Sequence, residues 1–277
     1  VIIVPGFTLD SGDSKVQDLL VCGGVTLAPK DGVVTATGRA ACLNMRKKGP
    51  TLATKYKPVE SALPELGSLA IFHHHTRISG PWDQARTWIF TDGATYDEIG
   101  KHLQPMIPPR RFVKQIANLQ SMAITASHPR LKSVFDPEFL KQSELTEVER
   151  ATYAQKAWIA DEGRCLKWLQ AQPNVSAPGF AALASEGLFR NPETTSEILA
   201  EKLKKLKKDD FAKQDGWSLL GAALFSSNAK AAGIALRAME SNPDRAQLWY
   251  LLNPDPQLPA DIRNRAEKLG KSMEPKG

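Results

Sequence analysis

The sequence predicts a mainly α protein, a helical bundle-like core preceded by an N-terminal extended arm with short strands. Three observations predict it. Beyond residue 94, Thr residues recur three positions before Glu, the spacing of a capping box. Apolar residues in that part repeat at helical intervals. The first ninety residues are rich in Gly, Pro, Val and Thr instead and hold few long periodic runs. The expected division is therefore 1–93, an extended arm and short β-strand region, and 94–277, a helical core domain.

Taken in order, Val25–Leu27 and Val33–Thr37 flank the turn Pro29-Lys30-Asp31-Gly32 and read as a hairpin. Leu69–Phe72 and Thr87–Thr91 read as further strands, separated by Ser79-Gly80-Pro81. Helices are expected at Pro108–Ser127, Thr146–Gln170, Ala177–Gly187, Thr195–Lys207, Trp217–Ser226, Ala229–Ser241, Arg245–Leu252 and Ala260–Lys271. Capping-box pairs are Thr95/Glu98, Thr146/Glu149 and Thr194/Glu197. Asn191-Pro192-Glu193, Asn242-Pro243-Asp244 and Asn253-Pro254-Asp255 each offer a capping side chain, a first-turn Pro and an acid. Inward faces are Phe112/Ile116/Leu119/Ala123, Trp158/Cys165/Leu166/Leu169 and Ile198 or Leu199/Leu203/Leu206. The small residues of Gly221-Ala222-Ala223 and Ala229 to Ala238 permit close helix contact or self-association.

Composition excludes several classes. The chain has 277 residues, 42% hydrophobic and 24% charged, which is neither collagen-like nor disordered. The best uncharged stretch for a membrane helix, Gly216 to Ala229, is shorter than the roughly 20 apolar residues such a helix needs and holds three serines, so no membrane partner is expected. Val1-Ile2-Ile3-Val4 is too brief for a signal-peptide core. Cys22, Cys42 and Cys165 are odd in number and far apart, which disfavours a disulfide framework and fits a reducing compartment.

Charge is unevenly placed. Residues 1–100 carry ten bases and ten acids, and residues 136–277 carry twenty of each. The whole excess of +6 lies in residues 101–135, with no acid between Glu98 and Asp136. Such a segment attracts a polyanion, unless acids from elsewhere in the fold cover it. Within it, Pro108-Pro109-Arg110-Arg111-Phe112-Val113-Lys114 pre-sets a helix start and then loads it with cations. Each cation there costs on the order of 0.3–1 kcal/mol against the helix dipole. A phosphate would reverse that sign through amides, dipole and guanidinium forks. Arg130 and Lys132 extend the track, and Arg77 and Arg86 lie near the candidate stacking aromatics Trp82, Trp88, Phe90, Tyr96 and Phe112. Arg46, Lys47 and Lys48 form a second basic turn. The run Lys202 to Lys208 reads as a solvated helix end.

Catalytic signals are sparse. On a strand, His73 and His75 would share a face and a metal-ligand spacing; no third ligand lies nearby at a helical His or Cys spacing, and His102, His128 and Asp83 are the conceivable ones. His74-His75-Thr76 resembles the His-x-Thr element of two-histidine phosphoesterases, although the second copy that family needs is absent. No P-loop, dinucleotide fingerprint, nucleophile elbow or kinase set occurs, and Cys22-Gly23-Gly24 lacks a nameable base. No cofactor and no enzymatic activity are expected. The expectation is a protein that multimerises to coat or package single-stranded nucleic acid, RNA rather than DNA, through sugar-phosphate contacts. A viral nucleocapsid or filament coat is its concrete form, in a virion or the cytoplasm. The sequence-level site is Arg110, Arg111, Lys114, Arg130, Lys132, Arg77 and Arg86. The alternatives are a helical adaptor for an acidic protein and a metal-dependent hydrolase using His73/His75.

Overall fold

A computed structural model describes residues 2–23, 25–26, 38–61, 63–76, 80–103, 107–122, 124–203, 214–224, 228–241, 243 and 247–274. The chain is mainly α with a small antiparallel sheet near its N-terminus. It forms two compact units, Val1–Phe135 and Asp136–Gly277.

In the first unit, β1 (Ile2–Ile3) pairs with β4 (Val25–Thr26). A four-stranded sheet has the order β5 (Ala40–Cys42), β3 (Leu19–Val21), β2 (Thr8–Asp10), β6 (Lys57–Val59), with every pair antiparallel. Both edges are blunted. On β6, Lys57 and Pro58 are exposed, a composition that resists pairing with another chain. At β5, the Gln84 side chain takes the place of a strand: its Oε1 accepts from Cys42 N at 2.8 Å and its Nε2 donates to Cys42 O at 2.7 Å. Four helices follow, α1 (Pro64–Thr76), α2 (Pro81–Asp92), α3 (Tyr96–His102) and α4 (Pro109–Ser121). Helix α2 is the hub, packed on β5, on α4 and on the 3-10 turn Pro129–Leu131. It ends at Gly93, whose φ of +60° and 2.6 Å approach of a built Cβ to Arg130 O leave room only for glycine.

The expected strands at Leu69–Phe72 and Thr87–Thr91 are helical, lying inside α1 and α2. Helix α2 is buried on nearly every side from Asp83 to Phe90, so its apolar run shows no period. Its β-branched threonines are accommodated because the Thr87 and Thr91 hydroxyls donate to Asp83 O and Thr87 O at 3.0 and 2.9 Å. Most of the expected 25–37 hairpin lies outside the described residues.

The second unit holds the 3-10 turn Pro137–Lys141 and helices α5 (Glu147–Ala160), α6 (Glu162–Ala171), α7 (Phe180–Arg190), α8 (Pro192–Leu203), α9 (Gln214–Leu224), α10 (Ala229–Ser241), α11 (Leu248–Leu252) and α12 (Ala260–Met273). The single long helix expected over 146–170 is two, because Asp161 leaves helical geometry and caps α6 by accepting from Arg164 N. Both capping boxes at Thr95/Glu98 and Thr146/Glu149 form. Thr194 instead lies within α8, where Asn191 Oδ1 accepts from its amide, so Thr194/Glu197 is no cap. Asn253 follows α11 rather than opening a helix, and residues 242 and 244 lie outside the description. The small residues serve packing: a Cβ on Gly221 would meet the Tyr250 ring at 2.8 Å.

Candidate nucleic-acid interface

Helix α4 is amphipathic in the expected sense. Phe112, Ile116 and Leu119 are buried, while Arg110, Arg111 and Lys114 are exposed. Lys114 follows Arg110 by four and Arg111 by three, so the three cations share one face. The first turn holds no acid. Among the described residues, neither Arg111 nor Lys114 is paired with a carboxylate. Like charges at this spacing cost about 0.2–0.5 kcal/mol per pair, on top of the dipole term.

The backbone contributes less than the sequence suggests. Pro108 and Pro109 carry no N–H, and the amides of Arg111 and Phe112 both donate to Pro108 O, at 2.9 and 3.1 Å. An anion here is therefore met by side chains, chiefly guanidinium forks, rather than by a ring of helix amides.

Arg130 and Lys132 are exposed on and just after the 3-10 turn that packs on α2. Arg130 Nη1 donates to Thr91 O at 2.9 Å, near the end of α2, so this cation also has a structural task. His128 faces Glu65 at 3.8 Å. Arg46 and Lys47 of the second basic turn are matched by Glu98 (2.7 Å) and Asp18 (3.6 Å). Arg77 lies outside the described residues. Trp88, Phe90, Tyr96 and Phe112 are buried, which removes them as bases' stacking partners, and Trp82 is half-buried.

Arg86 does not belong with the surface cations. It is fully buried at the centre of the unit. Its Nε and Nη2 donate to Gln115 Oε1 at 2.9 and 2.7 Å, and Nη1 lies 3.4 Å from Asp83 Oδ1. The guanidinium also covers the Phe72 ring at 4.6 Å. Burial lowers its pKa, and the Asp83 charge opposes that shift. The network thus ties α1, α2 and α4 together beneath the cationic face.

His73 joins the same network. On a helix, His73 and His75 point about 200° apart, not to one side. His73 is buried and His75 exposed. His73 Nδ1 lies 2.9 Å from Asp83 Oδ1, and Nε2 lies 3.3 Å from the Thr87 hydroxyl. Hydroxyl, imidazole and carboxylate stand in the order of a catalytic triad. Thr87, however, has no exposed surface and is absent from the wall of the adjoining cavity. That cavity, about 430 Å³, is lined by Cys22, Arg39, His73, Asp83, Gln84 and Leu103 among others. Burial pushes the Cys22 thiol up to about 11, the opposite of an activated nucleophile. Among the described residues, no group of three His, Cys, Asp or Glu side chains is placed to hold a metal. No helix among them is long and apolar enough to cross a membrane.

Lys202, expected at a solvated helix end, is buried. Its ammonium donates to Gln170 O and Gln172 O, closing the C-terminus of α6. Residues 204–208 lie outside the description. No protein-family model matches the chain, and neither a curated protein nor a solved structure is similar to it.

Proposed function

We propose that this protein binds single-stranded nucleic acid, with RNA as the expected partner, and multimerises along it as a coat or packaging subunit of the nucleocapsid type, in a virion or the cytoplasm. One observation carries the reading. The start of α4 presents Arg110, Arg111 and Lys114 on a single exposed face, in a first turn without acids. Arg111 and Lys114, which have no carboxylate partner among the described residues, gain from a row of phosphates. Arg130 and Lys132 extend the track. Recognition by side-chain cations, with the nearby rings buried, favours contact with the sugar-phosphate chain over reading of bases.

The test is fluorescence anisotropy with a labelled single-stranded RNA of mixed sequence, run on the nuclease-treated protein. The wild type binds, and the Arg110→Ala/Arg111→Ala/Lys114→Ala variant loses most of that affinity with its helical circular dichroism unchanged. Equal binding by the two proteins overturns the assignment. So does an acidic peptide that displaces the RNA at lower concentration than unlabelled RNA does, which would point to the adaptor reading.

A further inference from the structure

Two features in different parts of the chain complement each other. The first is the turn Thr51–Thr54. Thr51 N donates to Thr54 Oγ1 at 2.9 Å and Thr54 N to Thr51 O at 3.0 Å, which leaves Leu52 and Ala53 at the tip. Its base is fixed where Gln17 N donates to Lys48 O (2.9 Å) and the Tyr56 hydroxyl to Gln17 O (3.1 Å). Leu52 is 110% exposed, the most exposed large apolar side chain among the described residues. Turn tips ordinarily carry Gly, Asn, Asp or Ser. Lys48, Lys55 and Lys57 flank it, all exposed and, among the described residues, without an acidic partner.

The second is a hollow of about 280 Å³ beside α5 and α7, walled by Ala151, Ala181, Ala182 and Phe189. Phe189 is 64% exposed. Glu147 and Glu186 stand on the rim. Glu186 is held by Arg190, whereas Glu147 has no cation partner among the described residues. Arg150 also borders the hollow, but its guanidinium donates to the carbonyls of Leu140 and Gln142 at 3.2 and 3.0 Å.

We infer that the occupant of this hollow is the Leu52 turn of a second copy of the chain, with its flanking lysines facing Glu147. An apolar knob among uncommitted cations fits an apolar hollow beside an uncommitted carboxylate. The two patches differ, so a pair either closes by exchanging both contacts or leaves one knob and one hollow open for further copies. The contact stands apart from nucleic-acid binding, because neither patch includes a cation of α4.

Sedimentation velocity on the nuclease-treated full chain, over rising concentration, tests it. The wild type associates as its concentration rises. Leu52→Asp and Phe189→Asp each stay single chains, and Leu52→Met, which keeps an apolar tip, behaves as wild type. An equimolar mixture of Leu52→Asp and Phe189→Asp forms a dimer that grows no further, since one supplies the hollow and the other the turn. Circular dichroism verifies that the variants fold, and Leu52→Ser replaces Leu52→Asp if that one does not. A wild type that stays a single chain, a folded Leu52→Asp that associates like wild type, or a mixture that stays single overturns the contact. On an RNA too short for two subunits, the anisotropy of Leu52→Asp remains at the wild-type value, so failure here and failure of the RNA reading are separable.

Discussion

Replacing Arg86 by Met probes the framework under the cationic face. The change keeps an unbranched side chain of similar reach and removes four polar contacts: two with Gln115 Oε1, one with Asp83 Oδ1 and one with His73 Nδ1 at 3.3 Å. Gln115 Oε1 loses two donors at 2.9 and 2.7 Å, and the Asp83 carboxylate, 12% exposed, loses its guanidinium. Breaking a buried pair from one side costs about 3–5 kcal/mol. His73 still reaches Asp83 at 2.9 Å, which places the cost near the lower end, about 3 kcal/mol. With a urea dependence of about 1–3 kcal/mol/M, the midpoint falls by about 1–3 M. The assay is urea unfolding followed by circular dichroism, read on the transition that the variant shifts. Asp83→Asn added to Arg86→Met removes the stranded carboxylate and recovers about half of the loss. A loss below about 0.5 kcal/mol, or a double variant no better than the single, refutes the network as the tie among α1, α2 and α4.

Three further outcomes are expected. In the native protein at pH 8, Cys22 and Cys165, whose thiols burial pushes up to about 11 and about 12, do not react with a disulfide reagent. Cys42 reacts slowly, and denaturant releases all three. Lys202→Met strands the carbonyls of Gln170 and Gln172 and lowers the stability of the second unit by about 1–3 kcal/mol in thermal or urea unfolding. Burial raises the Glu98 carboxyl, but the Thr95 amide and the Arg46 guanidinium more than offset it and hold its pKa below the usual value. Its contribution is therefore full above the pH where unfolded glutamates ionise and is lost as pH falls through the folded value. Glu98→Gln flattens that acid limb of the stability curve, and an unchanged limb contradicts the assignment.

The helical part was legible because its signals are local. Capping boxes at Thr95 and Thr146 and the apolar stripe of α4 are set by neighbours within a few residues. Helix α2 was not, since burial on nearly all sides erases periodicity and Thr-Trp-Ile-Phe-Thr has strand propensity. For the candidate site, exposure of Arg110, Arg111 and Lys114 followed from the same stripe. The fate of Arg86, Lys202 and His73 did not, because each is decided by partners far along the chain: Gln115 for Arg86, and Gln170 and Gln172 for Lys202. The Asp83–Arg86 spacing of three, next to an apolar run, was the one available hint that this cation points inward.

The central claim is that the α4 cations, with Arg130 and Lys132, neutralise phosphates. The salt dependence of RNA affinity measures that number directly. Five single-strand contacts give a log–log slope near −3.5, and the Arg110→Ala/Arg111→Ala/Lys114→Ala variant, left with two, gives about −1.4. A wild-type slope near zero, or one slope shared by both proteins, contradicts the account.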